Sequence, residues 1–267
     1  MVVVLENIIE IKNLKFGYNI PLFDSLNLTI QKGSFITILG KNGCGKSTLA
    51  HLLYGKFPYE GQIIINRLKI NEDNKNRIQK NICFITEKME YEEDSPYQNI
   101  VYYLKKQRKT EKEIVDTVSF IEKKLKIKEV IHCSFSSLSE SEKQIVAFIS
   151  IILKKPKIII LDNATSKLSE LQRTTIFKFL KQLKQTTIIN ITNNIEDSLY
   201  GDRIVLLNNQ TVFLDDTTKN SLKNEKAFRS CNLDLPFMAS LSLKLKYYDL
   251  LDSTILDMNK MVNKLWK

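Results

Sequence analysis

Residues Gly40 to Thr48 read GKNGCGKST, a full match to the pattern G-x-x-x-x-G-K-[ST]. Residue types in this order make a cradle for a triphosphate. The glycines permit a tight turn whose successive backbone N–H groups point inward, and a helix opening at Lys46 and Ser47 adds its positive dipole end. Lys46 would reach the β- and γ-phosphates. Ser47 would ligand Mg²⁺, a hard cation that takes small oxygen donors. Lys41, Asn42, Gly43, Cys44, Gly45 and Thr48 complete the loop around the anion. About 120 residues downstream, the apolar run IIILD ends in Asp162, a carboxylate placed to share the same cation with Ser47. Between these two motifs, Ser139 and Glu142 have the spacing of a capping box at the start of a helix.

The elements around these residues must hold them together. The loop lies between an apolar strand, SFITIL, and a helical stretch, STLAHLLY. IIEIKNLKF, LNLTI, SFITIL, GQIIIN, RLKI and NICFIT are expected to be strands of one mixed sheet. From about Ser95 to Lys154 the apolar residues recur three and four apart, as in EKEIVDTVSFIEKKL, which predicts helices. Strand patterns return in KIIILD, TTIINIT, RIVLLN and TVFLD, with a helical ELQRTTIFKFLKQLK between the first two. The order describes an α/β core interrupted by a helical insertion. Near the C-terminus, Leu251, Ile255, Met258, Val262 and Leu265 fall on one stripe, which predicts an amphipathic helix packed on this chain or on another subunit.

Composition narrows the function classes. At 267 residues the chain can bury a sizeable core, but it is too short for two such units in tandem. Cys44, Cys83, Cys133 and Cys231 have no metal-ligand spacing and are expected to be ordinary reduced thiols. No apolar run is long enough to span a bilayer, and MVVVLENIIEIKN meets acidic residues too early for a signal peptide. The formal charge of +10 rests on lysine, since Arg occurs only at 67, 77, 108, 173, 203 and 229. Lysines dispersed singly over solvated faces are the expectation, with no nucleic-acid groove.

SSLSESEKQIVAF, read with the phosphate loop and IIILD, resembles the signature LSGGQ-x-Q-R-V-A of ABC-type ATPases. KKPKIIILDNATSKLS is similar to the family's P-x-x-x-x-LDEATSALD, and TTIINITNNIEDSLYGDRIVLLNN to its I-T-H-D…A-D-R-V segment. The tail CNLDLPFMAS resembles the "gLdlPf" turn that leads into a dimerising C-terminal region in ATPase subunits of energy-coupling factor (ECF) importers. The resemblance implies a P-loop NTPase core of mixed β-sheet with helices, a helical signature subdomain and a small C-terminal helical extension. It places a nucleotide-binding domain at 1–220, with its core at about 1–87 and 155–220 and the helical part at about 88–154. A C-terminal region follows at 221–267.

By the same resemblance the ligands are ATP and Mg²⁺, Tyr18 stacks on the adenine, and Ser47 and Asp162 hold the metal. The expected partners are a second ABC ATPase subunit, joined head to tail, a transmembrane coupling protein and a substrate-binding membrane subunit. They would place this chain at the cytoplasmic face of the membrane, powering uptake of a vitamin or metal ion. Four departures bear on catalysis. Asn163 stands where the family has its water-activating glutamate, Asn193 where it has the switch histidine, and Glu87 at the Q-loop glutamine. The signature, Leu138, Ser139, Glu140, Ser141 and Glu142, has lost its glycines and glutamine. An amide cannot take the proton of the attacking water, so hydrolysis is expected to be impaired while nucleotide binding survives. Ser139 is expected to offer its hydroxyl to a γ-phosphate beside the carboxylates of Glu140 and Glu142. Other classes consistent with these departures are a non-catalytic regulatory or scaffold subunit, and a soluble ABC protein acting on the ribosome or DNA.

Overall fold

The computed structural model describes residues 6–87, 93–125 and 127–266. Among these residues, ten strands divide between two sheets. β1 (Asn7–Gly17), β2 (Pro21–Gln31), β4 (Glu60–Ile65) and β5 (Leu68–Lys69) form an antiparallel sheet in the order β2-β1-β4-β5. β3 (Phe35–Gly40), β6 (Ile82–Ile85), β7 (Ile158–Asp162), β8 (Thr187–Ile191), β9 (Arg203–Asn208) and β10 (Thr211–Thr217) form the second, ordered β10-β9-β3-β8-β7-β6. That sheet is parallel except for β10.

The opening strands therefore do not join a single mixed sheet. Burial patterning is the reason. β2 alternates buried and exposed residues, as a strand with one wet face must, whereas every residue of β3, β7 and β8 is buried, as in a parallel sheet covered on both sides. Ile36, Ile38, Ile160 and Ile189 point into a first core shared with the antiparallel sheet and α1 (Lys46–Leu53). Their neighbours Phe35, Ile159, Leu161 and Ile188 point the other way, into a second core built with the helices.

The remaining helices are α2 (Glu72–Gln79), α3 (Pro96–Lys106), α4 (Glu111–Leu125), α5 (Lys128–Ile131), α6 (Glu140–Leu153), α7 (Glu170–Leu180), α8 (Thr218–Ser221), α9 (Glu225–Ser230), α10 (Phe237–Tyr247) and α11 (Met258–Leu265). Their starts are written locally. Ser95 caps α3 ahead of Pro96, and Ser139 and Ser169 open α6 and α7 with complete capping boxes to Glu142 and Gln172. A third core joins Leu39, Ile204 and Leu206 of the parallel sheet to Leu222, Phe228 and Leu235, so the segment that holds these last three is seated on that sheet. No helix among the described residues is long and apolar enough to cross a membrane.

The C-terminal stripe differs from expectation. Leu251 and Ile255 lie outside any helix, and α11 begins only at Met258. Asp249 at φ 57 terminates α10 through a left-handed turn, and Asp257 accepts the Lys260 N–H to cap α11. Leu251 and Met261 are buried together with Met238, while Met258, Val262 and Leu265 remain exposed. Local capping chemistry at two aspartates overrides the periodicity.

Candidate nucleotide-binding site

β3 delivers the chain to Gly40, and α1 carries it away from Lys46. Two glycines are sterically required on the way. A Cβ at Gly40 would lie 2.6 Å from the Leu207 carbonyl oxygen, and Gly45 combines φ 99 with a Cβ position 2.6 Å from the Phe23 ring. The Lys46 side chain folds back over the loop, donating to the carbonyls of Gly40 (2.6 Å) and Lys41 (3.0 Å). Burial depresses its pKa, with the Asp162 carboxylate among the charges opposing that shift.

Ser47 Oγ donates to Asp162 Oδ1 at 2.8 Å across 115 residues of sequence, so the two oxygen ligands expected for a cation do converge. Burial raises the Asp162 pKa, and the Ser47 hydrogen bond works against that rise. Glu87 lies close enough for its charge to add to the increase. Its side chain is exposed at the end of β6, and residues 88–92 after it fall outside the described residues.

A cleft of about 440 Å³ opens over the loop, lined by Asn42, Gly43 and Gly45 to Thr48 together with Tyr18, Asn163 and Asn193. Residues 18, 42, 43, 45–48, 163 and 193 thus meet at one place, whereas Gly40, Lys41 and Cys44 do not line it. The Tyr18 ring is two-thirds exposed and nearly perpendicular to the rings of Phe16 at 5.1 Å and Phe57 at 6.0 Å. Asn163 adopts φ 50, a left-handed conformation that asparagine tolerates better than most residues. Its Oδ1 accepts the Asn193 backbone N–H at 3.1 Å, so the two asparagines are clasped to each other.

Sequence reasoning missed the group that braces both loops. Asp197 is fully buried and accepts hydrogen bonds from Thr165 and Thr192, both at 2.9 Å, with Arg173 Nε 3.2 Å from its other oxygen. Thr165 follows Asn163 and Thr192 precedes Asn193. Burial pushes the Asp197 pKa up, and the two threonine hydroxyls hold it down. Nothing local marks this aspartate, because NNIEDSLYG reads as a polar surface turn. Asp197→Ala takes away the acceptor shared by the Thr165 and Thr192 hydroxyls and the carboxylate beside the partly exposed Arg173, and should lower stability by about 3 kcal/mol. A thermal melt should then fall on the order of 10 °C; a shift of only a degree or two would mean that the pair does not brace the loops.

A family model described as ABC transporter matches residues 23–166, more than half of the chain. The chain belongs to the ABC transporter family. It is 30% identical over 267 residues to the energy-coupling factor transporter ATP-binding protein EcfA1 of Staphylococcus epidermidis, covering 97% of this chain and 98% of that one. It is 32% identical over 250 residues to EcfA of Onion yellows phytoplasma, covering 92% and 91%. Among solved structures it is similar to cbiO1 of Clostridium perfringens, described as part of the ABC transporter complex cbiONQ. The TM-score is 0.72 at 25% identity, with 88% of this chain and 98% of that one covered.

In this ABC family member the residues that resemble the signature, Leu138, Ser139, Glu140, Ser141 and Glu142, lie apart from the chain's own cleft, at the N-terminus of α6. Ser139 is exposed there; its hydroxyl donates to Glu142 Oε2 at 2.6 Å, and the same carboxylate accepts the Ser139 N–H at 2.8 Å. Lys167 and Lys143 approach Glu140 at 2.8 and 3.1 Å and hold its pKa down.

Proposed function

We propose that this chain is the ATP-binding subunit of an ECF-type importer, with an impaired hydrolytic site of its own. One observation carries the reading: the loop that ends in Lys46 shares its cleft with Tyr18, Asn163 and Asn193, and Ser47 and Asp162 converge beside it. Tyr18 stacks on adenine, Gly40 to Thr48 surround the phosphates, and Ser47 and Asp162 hold Mg²⁺. A paired hydroxyl and carboxylate suit that ion. Lys46, already buried against the loop carbonyls, turns its ammonium to the β- and γ-phosphates. Bound MgATP supplies the phosphoanhydride whose cleavage drives transport.

Asn163 occupies the position of the general base and Asn193 that of the switch histidine; neither amide takes up a proton at the pH of the cell. The signature of this chain completes the nucleotide site of a second ABC ATPase, joined head to tail, and its separation from the chain's own loop supports that arrangement. The nucleotide domain spans 1–220 and the C-terminal region 221–267 mediates assembly. A transmembrane coupling protein and a membrane subunit that recognises a vitamin or metal ion hold the pair at the cytoplasmic face. The names of the curated relatives support this assignment. A second reading, a non-catalytic ATP-binding subunit that acts as a scaffold or regulator, is favoured by the hydrogen bond that ties Asn193 to Asn163.

Affinity purification of the tagged chain from its own detergent-solubilised membranes, with MgATP present, tests the transport assignment. A second ABC ATPase and an integral membrane protein should be enriched in stoichiometric amounts. Recovery of the chain without either would overturn it.

A further inference from the structure

Five lysines converge on one cleft, against the expectation that they are dispersed singly. The cleft, about 550 Å³, lies away from the nucleotide loop, beside the edge strand β6, where the ends of α1, α2 and α6 meet. Lys56, Lys80, Lys154, Lys155 and Lys157 line it, and no carboxylate does so among the described residues. None of the five makes an ion pair among those residues. Two of the ammonium groups rest on aromatic faces, Lys154 at 4.5 Å from the Tyr103 ring centre and Lys56 at 5.5 Å from Phe84.

The helix ends do not account for this charge. Three C-termini contribute about −0.5 elementary charge each, roughly −1.5 together, which leaves more than +3 from five ammonium groups. The backbone is also held in a costly shape. Lys155 adopts φ 48 at the end of α6, where glycine is the usual occupant. The walls are firm: Tyr54 stacks on Phe84 at 5.5 Å and 18°, and the buried Asn99 donates to Ser150 at 2.6 Å.

We propose that this cleft binds a small, multiply charged anion bearing phosphate groups. Like charges gathered over low-dielectric walls focus the field outward and attract such a ligand. Ammonium groups on flexible stems suit phosphate oxygens as point charges. The volume falls in the range of small-molecule sites, roughly 300–1,000 Å³, so it fits such an anion better than an extended acidic peptide. The site is independent of the MgATP cradle.

Titration calorimetry with inorganic tripolyphosphate tests the proposal on Lys46→Ala protein, in which the nucleotide loop is weakened. Binding should persist there. It should weaken roughly 100-fold when Lys80→Ala, Lys154→Ala and Lys157→Ala are added, and survive when the same three become Arg. Unmutated protein offers a second measurement: reductive labelling with pyridoxal 5′-phosphate, mapped by mass spectrometry, should mark Lys80, Lys154 or Lys157 and be blocked by tripolyphosphate. Vesicles of phosphatidylglycerol, compared with phosphatidylcholine, separate a lipid headgroup from a soluble ligand; loss of either kind of binding in the triple Ala variant supports the site. Labelling confined to Lys46, binding indifferent to the three lysines, or capture of a polyglutamate peptide without tripolyphosphate binding would each overturn it.

Discussion

Asn163→Glu combined with Asn193→His raises ATP turnover at the site built on Lys46 by about 10²- to 10⁴-fold, the scale of a restored general base. At 1.36 kcal/mol per decade this is roughly 3 to 5.5 kcal/mol of barrier. The two positions are linked. Asn163 Oδ1 accepts the Asn193 backbone N–H, so replacing Asn163 alters the contact that positions residue 193, whereas Asn193→His leaves that donor in place. Glutamate at φ 50 also costs roughly 1 kcal/mol relative to an ordinary backbone position, so the double variant should melt a few degrees lower. The measurement is phosphate release by the assembled complex, with Lys46→Ala in the same background as the zero. An unchanged rate alongside intact MgATP binding would mean that the site has decayed beyond these two residues and that the scaffold reading holds.

Lys46→Ala should weaken MgATP binding by about 10²-fold or more, since truncating one partner of a desolvated charge contact costs roughly 2 to 5 kcal/mol. Lys46 is buried, its pKa is depressed by that burial, and its ammonium already stands on the carbonyls of Gly40 and Lys41. Binding therefore recruits a charge whose desolvation was met during folding. Without nucleotide the variant should melt close to the parent. The parent should gain stability with MgATP, about 2.7 kcal/mol at a hundredfold excess over Kd, and the variant should gain almost none. An equal Kd for parent and variant by calorimetry would remove the nucleotide cradle from this loop and, with it, the proposed function.

Much of this was legible in residue order because the physics is local. A glycine-rich turn between a strand and a helix predicts a phosphate loop, and β3, Gly40, Gly45 and α1 take up that form. Ser139 and Glu142 announce the start of α6 three residues apart, and the capping box is there. The apolar run that ends in Asp162 predicts a buried strand, and β7 lies inside the parallel sheet with every residue buried. Where two local signals competed, periodicity lost to capping: Asp249 and Asp257 divide the C-terminal stripe that spacing alone had joined.

The chain's order of residues thus determined the phosphate loop, the α/β alternation, the helix caps and the amides at 163 and 193, each set by contacts within a few residues. Tertiary structure alone decided which groups meet across long separations. It split the strands into two sheets, buried Asp197 between Thr165 and Thr192, brought Lys167 onto Glu140 across 27 residues, and gathered five lysines at three helix ends. Such meetings depend on how the sheets and helices stack, and closing loops of that length costs an entropy that no short window of sequence records.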